Sequence, residues 1–245
     1  MTRKFSLMLA GLVLVGAAPA LALGPLDIDA AVGAHSKYVW RGQILTPEAV
    51  LQPELSLGVM GFTAGVWGNV DLTDINGYET SLSETNWTLG YDLSLPLVSL
   101  GAGFIMYDFP SSGPHDTSEF YIGGKVNVLL SPHLYIYKDI DQIKGTYVTL
   151  GGTWSRKLGE SVGLEIDGDY GWGSDSYMQG YWLAPTAGSS DLTFAARLPW
   201  HVVPMVTIEA HVSYATLLGD AKTVAKADDS DFDTVFYGLS ARFSF

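Results

Sequence analysis

The stretch Val235-Phe236-Tyr237-Gly238-Leu239-Ser240-Ala241-Arg242-Phe243-Ser244-Phe245 alternates side-chain chemistry with a period of two. Val235, Tyr237, Leu239, Ala241, Phe243 and Phe245 fall on one face; Phe236, Gly238, Ser240, Arg242 and Ser244 fall on the other. Successive side chains of a strand point to opposite sides, so this segment has one apolar face and one mostly polar face. A chain end is ordinarily frayed and polar. This one reads as a strand that needs a partner.

Working outward, eleven more segments carry the same period, giving twelve in all. Ile28, Ala30, Val32, Ala34, Tyr38 and Trp40 oppose Asp29, His35, Lys37 and Arg41; Leu51, Leu55, Leu57 and Val59 oppose Gln52, Glu54 and Ser56. Phe62, Ala64, Val66 and Val70 oppose Thr63, Trp67, Asn69 and Asp71, and Trp87, Leu89, Tyr91, Leu93 and Leu95 oppose Glu84, Asn86, Thr88 and Asp92. Val98 to Met106, Phe120 to Val128 (with Glu119, Tyr121 and Lys125 behind) and Val148 to Trp154 continue the series, and between the last two the segment Leu134 to Ile140 is interrupted by Lys138. Val162, Leu164, Ile166, Tyr170 and Trp172 face away from Glu165, Asp167 and Asp169. Leu192 to Trp200 face away from Asp191, Thr193 and Arg197, and Val206 to Tyr214 from Thr207, Glu209, His211 and Ser213.

The connections sort by length. Short turns are expected at Met60-Gly61, Leu95-Val98, Leu130-His133, Ser155-Gly159 and Pro199-Val203. Longer polar loops are expected at Gly42-Val50, Leu72-Ser83, Phe109-Thr117, Gly173-Ser190 and Thr216-Asp233, with a short sixth link at Asp141-Gly145 on the same rim. A C-terminal strand ending in Phe resembles the closing strand of a bacterial outer-membrane barrel, and the loop asymmetry is that of such barrels. Periodicity alone does not say which face points inward, and a soluble lipocalin-like barrel alternates in the same way. Charged residues recur on nearly every polar face, as a wet lumen allows. Aromatics on the apolar face gather toward the strand ends, as interface girdles do: Tyr38, Trp40, Trp87, Phe120, Tyr170, Trp172 and Tyr214 at the long-loop rim, and Phe62, Trp154, Trp200, Phe243 and Phe245 at the short-turn rim. The expected fold is all-β, a transmembrane antiparallel up-and-down β-barrel of twelve strands with short periplasmic turns and long extracellular loops.

The other end agrees. Arg3 and Lys4 precede the apolar run Leu7 to Val15, and Ala20-Leu21-Ala22 supplies a small-residue cleavage site, the order of a secretory signal peptide. Residues 1–22 read as that signal and 23–245 as one barrel domain. Removing Arg3 and Lys4 leaves 11 Lys and Arg against 26 Asp and Glu, a formal net charge of −15. Nucleic acid is not expected as a partner, because phosphate binding needs clustered bases. The chain has no Cys, which excludes disulfides, thiol chemistry and a lipidated cysteine. No Gly-rich phosphate loop or metal-ligand His pair occurs, and neither cofactor nor metal is expected; the acidic run Asp228-Asp229-Ser230-Asp231-Phe232-Asp233 lacks the EF-hand spacing.

At His35-Ser36-Lys37-Tyr38-Val39-Trp40-Arg41-Gly42, and again at Gly61-Phe62-Thr63-Ala64-Gly65-Val66-Trp67-Gly68, the chain resembles the TorF-like porins of Gram-negative bacteria. That family opens with Ser-x-Tyr-x-aromatic-Arg-Gly and continues with a Gly-aromatic hairpin ending Gly-x-Trp. The likeness spans roughly the first fifty mature residues, and Lys37 stands where the family has an acid. The resemblance implies a β-barrel and suggests transport, with no substrate to carry over.

The lumen of such a barrel would be lined by Lys37, Arg41, Glu54, Glu84, Asp92, Glu119, Lys125, Glu165, Asp167, Asp169, Arg197, Glu209, His211 and Arg242, together with Asp29, Asp71 and Asp191. Acids outnumber bases there, and rings of acids favour cations. About eight strands leave an interior just filled by side chains, and about 16 to 18 leave an aqueous channel. Twelve therefore suggests a narrow pore for passive diffusion of small hydrophilic solutes, with the long loops able to fold inward. Two alternatives stand: a structural or adhesive barrel with a closed lumen, and an outer-membrane hydrolase using a Ser213, His211 and Glu209 cluster. Expected partners are outer-membrane lipid and lipopolysaccharide, the barrel-assembly machinery reading the strand that ends in Phe245, and the diffusing solutes. Expression in a Gram-negative host should yield a mature protein starting at Leu23. N-terminal sequencing checks this, and a retained Met1 would mark an uncleaved anchor.

Overall fold

The computed structural model describes residues 26–77, 80–111 and 115–245; the expected signal segment lies outside them. Twelve antiparallel strands close into one barrel. They are β1 (Leu26–His35), β4 (Val50–Val59), β5 (Phe62–Asp71), β6 (Ser81–Ser94), β7 (Val98–Asp108), β8 (Thr117–Val126), β9 (His133–Asp139), β10 (Thr146–Lys157), β11 (Gly163–Gly173), β12 (Gly188–Val203), β13 (Val206–Leu217) and β14 (Asp233–Ser244). Each strand pairs with its neighbour in the chain, and β1 closes the ring by pairing β4 on one edge and β14 on the other. The closing register runs from Asp29 opposite Ser244 to His35 opposite Gly238. Phe245 extends it, its N–H donating to the Ile28 carbonyl at 2.9 Å. The segment around Lys138 is a full member of the ladder as β9, because β8 and β10 hold it along both edges.

The polarity is that of a molecule turned inside out. Leu57, Phe62, Leu89, Ile122, Leu150, Phe194 and Leu239 are exposed on the outer wall, Phe62 at 62 % and Ile122 at 61 %. Charged side chains sit within: Asp71, Glu119 and Asp139 have no exposure at all. In water such a wall would leave its largest apolar patches unsatisfied. In a bilayer it is the surface that lipid covers, and the closed ladder leaves no edge with unpaired backbone groups. Aromatic pairs stiffen that outer face, as Phe62 with Tyr91 at 4.7 Å and Phe104 with Phe120 at 5.2 Å between centroids.

Both termini of the described barrel and its short turns share one rim. The Met60-Gly61 turn has φ of 50° and 88°, the left-handed pair that matches the twist of a two-residue hairpin. Two expected turns are displaced because the ladder runs on: β10 continues to Lys157 beyond Ser155, and β12 continues through Pro199 to Val203, Trp200 pairing Ile208. The opposite rim carries the long connections, which are not all loops. Helix α1 (Asp175–Trp182) and helix α2 (Gly219–Ala227) fold there and share a small apolar core of Tyr147, Tyr177, Met178, Trp182, Ala184, Leu217, Ala221 and Ala225.

The largest departure from expectation is at the first strand. β1 stops at His35, and residues 36–49 turn inward, pairing β2 (Tyr38–Trp40) with β3 (Gln43–Thr46) as a separate hairpin. Tyr38 and Trp40 are therefore not outward girdle residues. Tyr38 is 8 % exposed and packs on the inward-facing Trp67 with centroids 5.4 Å apart. The period of two was real, but it belongs to two different sheets.

The facing of β14 makes a direct test. Leu239→Arg places a guanidinium against lipid, at a cost of about 2–4 kcal/mol near the midplane, whereas Ser240→Arg, one residue on, points into the barrel. The first should lower the fraction that refolds into lipid vesicles, read by heat-modifiable gel migration, and the second should not. Equal yields would overturn the assigned facing.

Candidate functional site

The inward hairpin is built around its tip. Arg41 and Gly42 take φ of 47° and 81°, so the chain reverses in two residues. Gly42 is also pressed against β12: a Cβ there would lie 2.6 Å from that of Asp191. This combination of positive φ and close approach admits glycine alone.

The turn delivers Arg41 to the middle of the upper lumen. Its two terminal nitrogens donate to Glu119 of β8 at 2.9 and 2.8 Å, and one also donates to the Tyr177 hydroxyl of α1. Tyr107 donates to the same carboxylate at 2.9 Å. The guanidinium lies over the rings of Trp40, Tyr137 and Tyr147 at 4.3–4.5 Å. Arg41 is 9 % exposed and Glu119 not at all. Desolvating two charges is costly, and it is tolerated where the pair is bidentate, further hydrogen-bonded and stacked on aromatic faces.

Lesser ties hold the arms. Lys37 Nζ donates to Thr234 at 2.7 Å, Gln43 to the Tyr181 carbonyl at 2.7 Å and Thr46 to Asp71 at 2.8 Å. Burial pushes the hydroxyls of Tyr177 and Tyr181 above their ordinary range, so both remain protonated; Tyr177 accepts from Arg41, and Tyr181 donates to Asp139 at 3.2 Å.

Below the hairpin lies a cavity of about 560 Å³ whose lining includes Arg41, Lys125, His133, Tyr135, Asp169 and Asp191. His133 Nε2 meets Asp169 at 2.7 Å. Tyr135 lies flat on the wall because Gly123 makes room, a Cβ there falling 2.3 Å from its ring. Further round, Arg197 pairs with Asp167 and stands 3.9 Å from Glu209, and Arg242 reaches Glu54 at 3.6 Å across β1.

The residues expected along the lumen thus divide. Lys125 and Asp169 line the cavity, while Glu54, Glu165, Asp167, Arg197, Glu209, His211 and Arg242 share the inward face with them. Arg41, Glu84 and Glu119 lie inside the barrel but are buried in the packing around the hairpin. Asp92 lies near the short-turn rim and is exposed, and Lys37 serves the hairpin. Of the aromatics, Trp87, Tyr170, Trp172, Trp200, Tyr214 and Phe245 are exposed and Trp154 and Phe243 half-buried, all on the outer face.

The hydrolytic arrangement does not assemble. His211 stacks on His35 with centroids 5.0 Å apart, and its Nε2 is buried without a partner, bonded to neither Ser213 nor Glu209. Sequence reasoning passed over Tyr107, Tyr137, Tyr147, Tyr177 and Tyr181, the aromatic shell of Arg41. Their only signal was a wealth of Tyr on polar faces and in one loop.

Arg41→Met leaves the Glu119 carboxylate buried without its cation, a loss of roughly 3–5 kcal/mol for such pairs. The hairpin should loosen while the barrel stays closed, so trypsin should cut after Lys37 faster with unchanged heat-modifiable migration. Wild-type protection at Lys37 would refute this role of the pair.

No protein-family model and no curated protein matches this chain. Among solved structures it is similar to the KdgM porin, with a TM-score of 0.56 and 14% identity over 89% of this chain and 99% of that one. KdgM is also described in complex with disordered oligogalacturonate. The chain is likewise similar to the NanC porin (TM-score 0.52, 12% identity, 88% and 98% covered) and to an outer-membrane channel from Pseudomonas putida F1 (0.51, 12%, 94% and 98%). At these identities the likeness is one of fold alone, a closed antiparallel β-barrel matched over nearly its whole length.

Proposed function

We propose that this protein is an outer-membrane channel through which small hydrophilic solutes diffuse passively, with a mild preference for cations. The carrying observation is the charge left on the inward wall. After Arg41–Glu119, Arg242–Glu54 and Arg197 shared between Asp167 and Glu209, the lumen keeps Asp92, Glu165 and Asp169 against Lys125, with His133 on Asp169. A low-dielectric wall focuses that excess onto the path, and acid-lined constrictions admit cations more readily than anions. The oligogalacturonate of KdgM is a polyanion, which such a wall disfavours, so it is not carried over. The outer-membrane setting, the aromatic girdle and the TorF-like resemblance around Arg41-Gly42 belong to the same proposal, as does export of residues 23–245 by the leading signal.

A closed structural barrel is the second reading, favoured by the hairpin that fills the upper lumen. Refolded residues 23–245 in planar bilayers under a KCl gradient separate the two. We expect steady unit conductance with a reversal potential favouring K⁺, and a smaller preference in Asp169→Asn combined with Glu165→Gln. Correctly inserted but silent protein that conducts only after Arg41→Met would support the closed barrel instead.

A further inference from the structure

A second cavity, of about 330 Å³, lies on the long-loop side of the hairpin between β2–β3, the ends of β6 and β7, and α1. The rings of Trp40, Tyr107, Phe109 and Tyr181 line it, Trp40 standing 5.1 Å from Tyr181 and 6.3 Å from Tyr107 between centroids. Glu84, 3 % exposed, is the one carboxylate among its described lining residues, which also include the exposed His115. The Asn86 amide donates to Glu84 at 2.9 Å and the Tyr38 hydroxyl also bonds it.

Among the described residues no Lys, Arg or His pairs with Glu84, in contrast to Glu119, two strands along the wall, which pairs with Arg41. Asn86 Oδ1 beside it is buried without a donor. A carboxylate out of water without a cation is unfavourable, and aromatic faces present negative charge to whatever sits between them. Both features ask for the same occupant, a cation with an apolar skin.

We propose that this cavity is a binding site for an organic ammonium ion, with Glu84 as counter-charge and the Trp40, Tyr107, Phe109 and Tyr181 rings as its cage. A calcium ion is a poor fit, since it takes about 6–8 oxygen ligands and the walls here offer one carboxylate beside four aromatic rings and the apolar Leu45 and Ile143. An alkylated ammonium holds its water weakly and exchanges it for ring faces at small loss. Exposed acids on the same rim, Glu48, Asp74, Asp116 and Asp141, draw cations toward the cavity. The site does not depend on the channel conducting.

Choline is the probe, with its neutral isostere 3,3-dimethylbutan-1-ol as control, each titrated into refolded residues 23–245 in detergent micelles. Isothermal calorimetry and tryptophan fluorescence read binding, and heat-modifiable migration confirms that each variant is a closed barrel. We expect saturable choline binding, none of the alcohol, and weakening by at least about tenfold in both Glu84→Gln and Phe109→Leu, a tenfold change being about 1.4 kcal/mol. Phe109 lies outside the strands and takes no part in the hairpin, so it tests the cage if Glu84→Gln fails to fold. Absence of choline binding by the closed barrel, equal binding of the alcohol, or undiminished binding by folded Glu84→Gln would each overturn the site. A silent channel that still binds choline would leave it standing.

Discussion

Everything in this structure hangs on one requirement: a backbone in hydrocarbon must satisfy every N–H and C=O within itself. A sheet does that only when its last strand returns to its first. Here the return is the ladder from Asp29–Ser244 to His35–Gly238, continued by Phe245 onto Ile28. Because the ring is closed, each strand has two occupied edges. β9 can then carry Lys138 on a nominally apolar face, since β8 and β10 fix it whatever that one side chain prefers. Ring closure also ends β1 at His35 and frees the next fourteen residues to go elsewhere.

Where they go sets the character of the lumen. The hairpin brings a guanidinium into a space that a barrel of this size leaves partly empty. Glu119 and Tyr177 bind it, Tyr107 donates to the same Glu119 carboxylate, and three rings stack on it. The arrangement compensates an expensive desolvation locally, residue by residue, instead of through a hydrophobic core. A small apolar core lies beside it, where α1 and α2 fold over the long-loop rim. The molecule therefore has a cavity of about 560 Å³ with mixed charge below the hairpin, a packed aromatic collar around Arg41, and a smaller cavity lined by Glu84 above.

The same comparison explains which parts of the chain could be read in advance. Val235 to Phe245, Val162 to Trp172 and Phe62 to Asp71 announced their strands because lipid on one side and water on the other impose a strict alternation. The Met60-Gly61 turn was legible because a two-residue hairpin needs residues that tolerate positive φ. Tyr38 and Trp40 kept the alternation and still misled: a two-stranded hairpin inside a lumen has the same period as a strand in its wall. Asp175–Trp182 was read as loop, since an eight-residue helix with Gly180 carries almost no helical signature of its own and is held by what Tyr177 and Trp182 pack against.

Sequence alone therefore determined the barrel strands and their count, the two-faced wall and the sorting of short and long connections, since each follows from local alternation and turn chemistry. Only the tertiary structure decided that Ser36 to Ala49 turns inward, that Arg41 meets Glu119 across 78 positions of chain, that His211 meets His35 and not Ser213, and that among the described residues no Lys, Arg or His pairs with Glu84. Those facts depend on which residues a closed ring brings face to face across its interior, and no period along a single strand encodes distances across a barrel.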